Sequence, residues 1–482
     1  MDTITKKMLI GGQWVDAVSG KTINTYNPST DETFGEVPCA GAEDIDRAVA
    51  AARAAFPEWS GLTQEKRSNV LRKIGAALRA RAKEAAHLAA QEHGMPEELG
   101  FGPTMGACGN FEMAATYAHS IMGDFISNSG RSPNVMYCLD RVPIGVCALI
   151  IPWNLPLFLM SQKIALAIST GNTCVVKPPS TNSLVGLFLA EVVDSVDELP
   201  KGVVNVITGP GSSVGNALAS HPGVDAVGFT GSTETGVSIM QAAAPTIKKV
   251  IMELGGKNPA IIFPDANLDL AIESLGHHQF FNCGQACGSP GRYYIHESVY
   301  DEFIEKLLTV AKHQVLGDPT KKETTMGPMV STEHFNKVMG YIESGVKEGA
   351  KLLYGGKRWG DKGVFIEPTI FTDVTPEMKI YREEIFGPVA VTTKWSDEDE
   401  VIRLANDNTY GLTASIWTRN IAHALKLGKR LTVGTFSVNA HNLICAEAPW
   451  GGVRESGIGK EGGKQGVLEY TEQKMITINL AE

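Results

Sequence analysis

The chain has 482 residues, 43% of them hydrophobic, which is long enough for large cores and implies two or three domains rather than a single small module. Against 43 lysines and arginines stand 53 aspartates and glutamates, a formal charge of −10 with no basic run, which argues against nucleic acid as a partner. The longest apolar stretch, VCALIIPWNLPLFLM at 146–160, is broken by two prolines and an asparagine, so no membrane span is expected.

In chain order, MDTITKKMLIGGQW lacks the apolar stretch of a signal peptide, and the mature protein is expected to begin near here. With eight scattered cysteines this points to free thiols in a reducing, cytoplasmic setting. The segments EDIDRAVAAARAAFPEW and KRSNVLRKIGAALRARAKEAAHLAAQEHG carry helical periodicity and predict long helices. Two stretches fit no surrounding pattern: SPNVMYCLDRVPI at 132–144 and the final YTEQKMITINLAE. Both read as exposed strands, which either invite a partner chain or pair with each other or with a domain edge inside the monomer. From 146 onward, short apolar runs (VCALI, CVVKP, VVNVIT, AVGFTG, VIMELG) alternate with amphipathic ones such as 183–196 and 212–220. This is a series of βα units and predicts a parallel sheet. After 260 a second α/β region is expected, with helices near 268–279 and 298–313, a strand at RYYIHE, a helix in EHFNKVMGYIESGVKEGA and strands at AVTTKW and TASIWT.

Ligands of such sheets sit outside the carboxyl ends of the strands, and that edge collects the candidate chemistry. FTGSTETG at 229–236 passes from strand to helix, so Gly231 and Ser232 could hold a pyrophosphate, although glycines there can serve the turn alone. Lys177 ends a strand in KPPSTNS. Asn154, between two prolines in IIPWNLP, could present its amide to an oxyanion or merely make a turn. Glu253 ends a strand inside an apolar run, where burial would raise its pKa towards that of a general base. In FFNCGQACGSPGR, Cys283 and Cys287 lack the second pair that structural zinc wants, and the compartment disfavours a disulfide. One nucleophile with a bystander, or two inert thiols, are the readings left.

The ordered set PWN, KPPS, FTGSTETG, ELGGKNP, FFNCGQAC with Arg292, EEIFGPV and NDNTYGLTAS resembles the NAD(P)-dependent aldehyde dehydrogenase superfamily, from LIGGQWVDAVSGKTINTYNPSTDE to ESGIGKEGGKQGVLEYTEQK. The resemblance implies two open parallel α/β domains and a small β oligomerisation arm. The expected division is 1–121 with 145–255 for the dinucleotide, 256–455 for catalysis, and 122–144 with 456–482 for assembly into dimers or dimers of dimers. It further implies Cys287 as nucleophile, Asn154 and the Cys287 amide as oxyanion hole, Glu253 as base, and Lys163 with Glu461 as proton relays. Ile151, Trp153, Lys177, Ser180, Gly231, Ser232, Leu254, Glu384 and Phe386 would face NAD or NADP.

By the same resemblance, an aldehyde is oxidised through a hemithioacetal and a thioester to its acid. NAD-preferring members carry glutamate where this chain has Ser180, so NADP is expected to be tolerated, with a slight lean towards it. The two arginines that hold a semialdehyde carboxylate are replaced by Gln162 and Phe281, and an unpaired buried carboxylate is costly. Leu155, Phe158, Leu159, Phe281, Ile444 and Trp450 are expected to line a tunnel for an uncharged aliphatic or aromatic aldehyde, with His441 and Glu447 adding polar or cationic contacts. The alternatives are a semialdehyde or coenzyme A-acylating dehydrogenase, an esterase, and a structural protein without activity.

Overall fold

The computed structural model describes residues 3–126 and 134–480. Five runs expected as strands form the parallel centre of one sheet: Val146–Ile150, Thr173–Lys177, Val204–Val206, Ala226–Thr230 and Lys249–Glu253. Every residue of the first four is buried, which explains why they read as continuous apolar runs rather than alternating ones. Their spatial order places Ala226–Thr230 beside Val146–Ile150, with Thr173–Lys177 on the latter's other side. The strand order therefore reverses between Val146–Ile150 and Ala226–Thr230. Such a reversal opens a crevice at the carboxyl edge, here between the turn after Ile150 and the turn after Thr230.

A second, seven-stranded sheet is parallel except at one edge and has Asn258–Ile262, Pro290–His296, Val389–Trp395 and Thr413–Trp417 at its centre. Only four residues separate Glu253 from Asn258. The chain thus leaves the carboxyl edge of the first sheet and enters the amino edge of the second almost at once, bringing the two edges face to face. Most of the expected helices of this region lie within a residue or two of their predicted bounds, at Leu268–Phe280, Tyr300–Lys312 and Thr332–Lys347.

Elsewhere the structure departs from the periodicity. The run 66–94 breaks at Arg81 into Gln64–Ala80 and Ala82–His93, with Arg81 bonded to Glu84 and lying over the Phe188 ring. The stretch 212–220 begins as one wide turn, Gly211–Gly215, and only Asn216–Ser220 is α-helical. Helix Glu97–Ala118 has no sequence signal, since Gly100, Gly102, Pro103, Gly106 and Gly109 interrupt its periodicity; it is held by packing against helix Pro156–Ser169. The two unassigned stretches pair with each other: Val135–Pro143 and Thr471–Asn479 run antiparallel over nine residues, with Asp124–Ile126 alongside. Ser132 and Pro133 lie outside the described residues. Eight of the nine residues of Thr471–Asn479 are exposed.

Candidate active site

The turn after Val146–Ile150 is held by its carbonyls. Asn182 donates to the Trp153 carbonyl at 2.6 Å and Asn282 to the Asn154 carbonyl at 2.9 Å. Pro156 then opens helix Pro156–Ser169 at a position where no N–H is needed. Asn154 is buried, and its Nδ2 donates to the Gln285 carbonyl at 3.2 Å, tying the first sheet's turn to the cysteine-bearing loop of the second.

That loop separates the two cysteines. Cys283 is buried in a left-handed conformation (φ 57°), with Sγ donating to the Gly327 carbonyl at 2.9 Å. Cys287 opens on the cleft between the sheets, which also receives Asn154. Its carbonyl accepts from Asn258 at 2.7 Å, and the next carbonyl, of Gly288, accepts from His441 Nε2 at 2.9 Å. Although the side chain keeps some solvent access, the surrounding protein pushes its thiol up to about 12, by burial first and then by the charges of Glu384 and Glu253; the Gly288 and Cys287 amides oppose this.

Glu253 is 4% exposed, and neither carboxylate oxygen makes a well-formed hydrogen bond, although the Gly452 amide lies close enough to favour the charged form. A Cβ added at Gly451 (φ 153°) would stand 2.3 Å from Glu253 Oε1, so only glycine leaves the carboxylate room. Burial raises the Glu253 pKa well above the usual carboxylate range and Glu461 raises it further, while Lys163 and Lys460 pull it down. Lys163 and Glu461 form an ion pair at 0% and 1% side-chain exposure. Trp450 exchanges backbone hydrogen bonds with Glu461 at 2.6 and 2.8 Å. Lys460 Nζ donates to the Gly451 and Gly452 carbonyls at 2.7 and 2.8 Å.

The cleft holds about 410 Å³, within the range of small-molecule sites, and is lined by Trp153, Gly231, Ser232, Leu254, Glu384 and Phe386 among others. Ser232 caps helix Thr233–Ala243, whose amino end faces the cleft and favours an anion. Thr230 Oγ1 is buried on the same wall without a partner. Glu384 Oε1 accepts from the Gly256 amide at 3.0 Å, and a Cβ at Gly255 would stand 2.5 Å from its other oxygen. Burial lifts this carboxyl to about 7, and Lys257 opposes the shift. An orphaned hydroxyl, a helix amino end and a half-satisfied carboxylate suit the hydroxyl- and phosphate-rich body of a dinucleotide.

Three of the expected cofactor residues are absent from the lining of this cleft. Ile151 is buried in the core, with its amide bonded to the Lys177 carbonyl. Lys177 Nζ turns back to the Pro178 carbonyl at 2.8 Å, and burial lowers its pKa to about 8. Neither they nor Ser180 line the cleft; Thr181 does. The six expected tunnel residues lie outside this cleft too. Leu155, Phe158, Leu159, Phe281 and Trp450 are half-buried and Ile444 is 44% exposed. His441 does not point a cation at substrate: it is fully buried between Ser415 Oγ and the Gly288 carbonyl, and burial holds its pKa at about 3. Glu447 is exposed, and its carbonyl accepts from Tyr117. Arg292 is a buried brace, bonded to the carbonyls of Lys257, Leu404 and Ala405.

Several partners of the expected site residues carried no sequence signal. Trp153 packs against His334 and Phe386, with ring centroids 4.9 and 5.3 Å away, and His334 Nε2 donates to the Phe386 carbonyl at 2.8 Å. Gln285 Oε1 accepts from the Val330 amide, closing the cysteine-bearing loop onto the 327–331 segment. These partners come from distant parts of the chain, and no local pattern marks them.

A parallel sheet with a dinucleotide cleft at its switch point, abutting a second sheet that delivers a thiol, defines a nucleotide-dependent oxidoreductase working through cysteine. The aldehyde dehydrogenase family matches residues 14–476. Retinaldehyde dehydrogenase 3 of Rattus norvegicus is 42% identical over 99% of this chain and 93% of its own length. The NAD-dependent aldehyde dehydrogenase of Sinorhizobium meliloti superposes with a TM-score of 0.97 at 37% identity, covering 100% of this chain and 96% of that one. An E. coli NADP-dependent enzyme gives 0.96 at 36% identity, covering 99% and 97%. The chain belongs to the aldehyde dehydrogenase family and is an NAD(P)-dependent aldehyde dehydrogenase with a catalytic cysteine.

Proposed function

We propose that the protein oxidises an uncharged aliphatic or aromatic aldehyde to its free carboxylic acid, with Cys287 as nucleophile. The observation that carries this reading is the convergence of Cys287, Asn154, Glu384, Phe386 and Ser232 on one cleft between the sheets. Bound there, the nicotinamide supplies the hydride acceptor. Cys287, as the thiolate, bonds through Sγ to the aldehyde carbon, and the carbonyl oxygen takes up the negative charge as the C=O π bond breaks. The remaining Asn154 N–H and the Cys287 amide hold that oxyanion. Loss of hydride leaves a thioester, and Glu253 takes a proton from the water that cleaves it, releasing the acid and the thiol. A buried carboxylate without a well-formed hydrogen bond suits that last task, because its raised pKa makes it a stronger base once ionised. Lys163 and Glu461 are placed to pass the proton outward.

Two replacements support an uncharged substrate: Gln162 is buried and Phe281 stacks near His277, whose pKa burial lowers. The rat relative is named for retinaldehyde. For the cofactor, the loop 178–182 offers no carboxylate to repel a 2′-phosphate, which supports use of both nucleotides with a slight lean to NADP. The exposed strand Thr471–Asn479 supports a homodimer or a dimer of dimers, and eight free thiols suit the cytoplasm.

The test is kcat/KM for hexanal, benzaldehyde, betaine aldehyde and succinic semialdehyde with each nucleotide, with coenzyme A present or absent. Hexanal and benzaldehyde should lead, and the product should be the free acid either way. A preference for succinic semialdehyde, a coenzyme A thioester product, or an NAD preference of about a hundredfold would overturn the corresponding part.

A further inference from the structure

Helix Ala82–His93 ends beneath the cleft on two buried polar residues that none of the chemistry above uses. Glu92 accepts from the Leu184 and Val185 amides, both at 2.9 Å, and so caps the helix that follows Asn182. His93 is 1% exposed, and its Nε2 lies 3.0 Å from Asn282 Oδ1. The orientation of the Asn282 amide follows from its other end, where Nδ2 faces two carbonyl oxygens, of Asn154 at 2.9 Å and Gln285 at 3.2 Å. Carbonyls demand donors, so Oδ1 faces His93, and His93 must carry its proton on Nε2. Burial keeps the ring neutral, with a pKa of about 4, against the opposing pull of Asn282 and of the Asn154 backbone; Nδ1 makes no well-formed hydrogen bond.

We infer that His93 is a positioning residue for the oxyanion hole, acting through Asn282 on Asn154. The inference rests on the reading of Asn154 as oxyanion donor. Asn282 sits in the left-handed region (φ 51°, ψ 34°), which asparagine tolerates better than most residues other than glycine, and its hydrogen bonds hold it there. Its amide and that of Asn154 share the Gln285 carbonyl. If Asn282 flipped, its Oδ1 would meet the Asn154 and Gln285 carbonyls head on. The two carbonyls select the orientation and the His93 N–H adds to it, because a flipped amide would set N–H against N–H unless the ring moved its proton to the partnerless Nδ1. One N–H of Asn154 then stays committed to Gln285 and the other stays available to the cleft. Orientation of this kind matters where the oxyanion donor must be in place before charge develops.

The experiment compares His93→Phe, which keeps a ring without a donor, with His93→Gln, which keeps a donor, alongside Asn154→Ala and the double variant His93→Phe/Asn154→Ala. The readout is the rate of the first-turnover burst of reduced cofactor at saturating aldehyde, with KM for cofactor and the thermal midpoint as controls. His93→Phe should slow the burst about tenfold or more while KM for cofactor changes by less than about twofold, and His93→Gln should return it to within about threefold of wild type. The double variant should be no more than about twofold slower than Asn154→Ala, because His93 acts through that residue. Multiplicative losses in the double variant, equal losses in Phe and Gln that track the thermal midpoint, or an unchanged burst in His93→Phe would overturn the inference. An Asn154→Ala enzyme with a normal burst would show instead that the oxyanion assignment itself is wrong. Where His93→Phe yields no folded enzyme, Asn282→Asp sets an oxygen against the two carbonyls and should slow the burst as much; a normal burst there overturns the inference equally.

Discussion

At the scale of single residues, two thiols four positions apart differ because of what surrounds each sulfur. Cys283 is buried and donates to the Gly327 carbonyl, and burial pushes its pKa up to about 12; Cys287 shares that shift but opens on the cleft. Cys287→Ser should therefore abolish aldehyde oxidation, whereas Cys283→Ala should retain most of kcat in the same assay. Glu253 yields two linked expectations. Glu253→Gln should give a full burst of reduced cofactor followed by slow turnover, because the thioester forms but water is not activated. Its effect on stability has a definite sign. The folded-state pKa is raised above the unfolded value near 4.5, so the unfolded chain ionises first and wild-type stability falls as pH rises from there through the folded pKa. Glutamine escapes this loss. The thermal midpoint of Glu253→Gln should exceed that of wild type at pH 8 and converge with it near pH 4.5.

At the scale of elements, helix Pro156–Ser169 begins beside Asn154 and carries Lys163 two turns in, so one rigid body sets both the Asn154 amide and the partner of Glu461. A fully buried ion pair adds little net stability, but removing one member leaves the other charge stranded, at a cost of about 3–5 kcal/mol. Lys163→Met should lower the thermal midpoint clearly, and Lys163→Met/Glu461→Gln should recover at least half of the loss. A double variant as unstable as the single one would mean that the lysine stem, not the charge, holds the helix. The elements also differ in how visible they were. The βα strands were legible because buried parallel strands demand continuous apolar runs. Helix Glu97–Ala118 was not, because four glycines and Pro103 break its periodicity; it packs against helix Pro156–Ser169, where Gly106 makes room for the Phe158 ring.

At the scale of the whole molecule, the sheet made of Asp124–Ile126, Val135–Pro143 and Thr471–Asn479 carries exposed apolar side chains, with Met475 at 64%, Ile476 at 40% and Ile478 at 36%. Ile476 and Ile478 lie on one face of their strand. A partner subunit covering that face would explain apolar residues there, and Ile476→Lys/Ile478→Lys should shift the protein to monomers in light scattering coupled to size exclusion. Unchanged mass would place the interface elsewhere.

The sequence alone determined what depends on local order: the alternation of strands and helices, the parallel sheets that follow from it, and the ordered motifs that point to the family. Tertiary structure decided what depends on distance through space. It turned Lys177 back to the Pro178 carbonyl, buried His441 behind the loop that carries Cys287, and joined His93 to Asn282 across 189 positions. Hydrogen bonds and desolvation act over a few ångströms, and only the completed packing of both sheets sets which groups come that close.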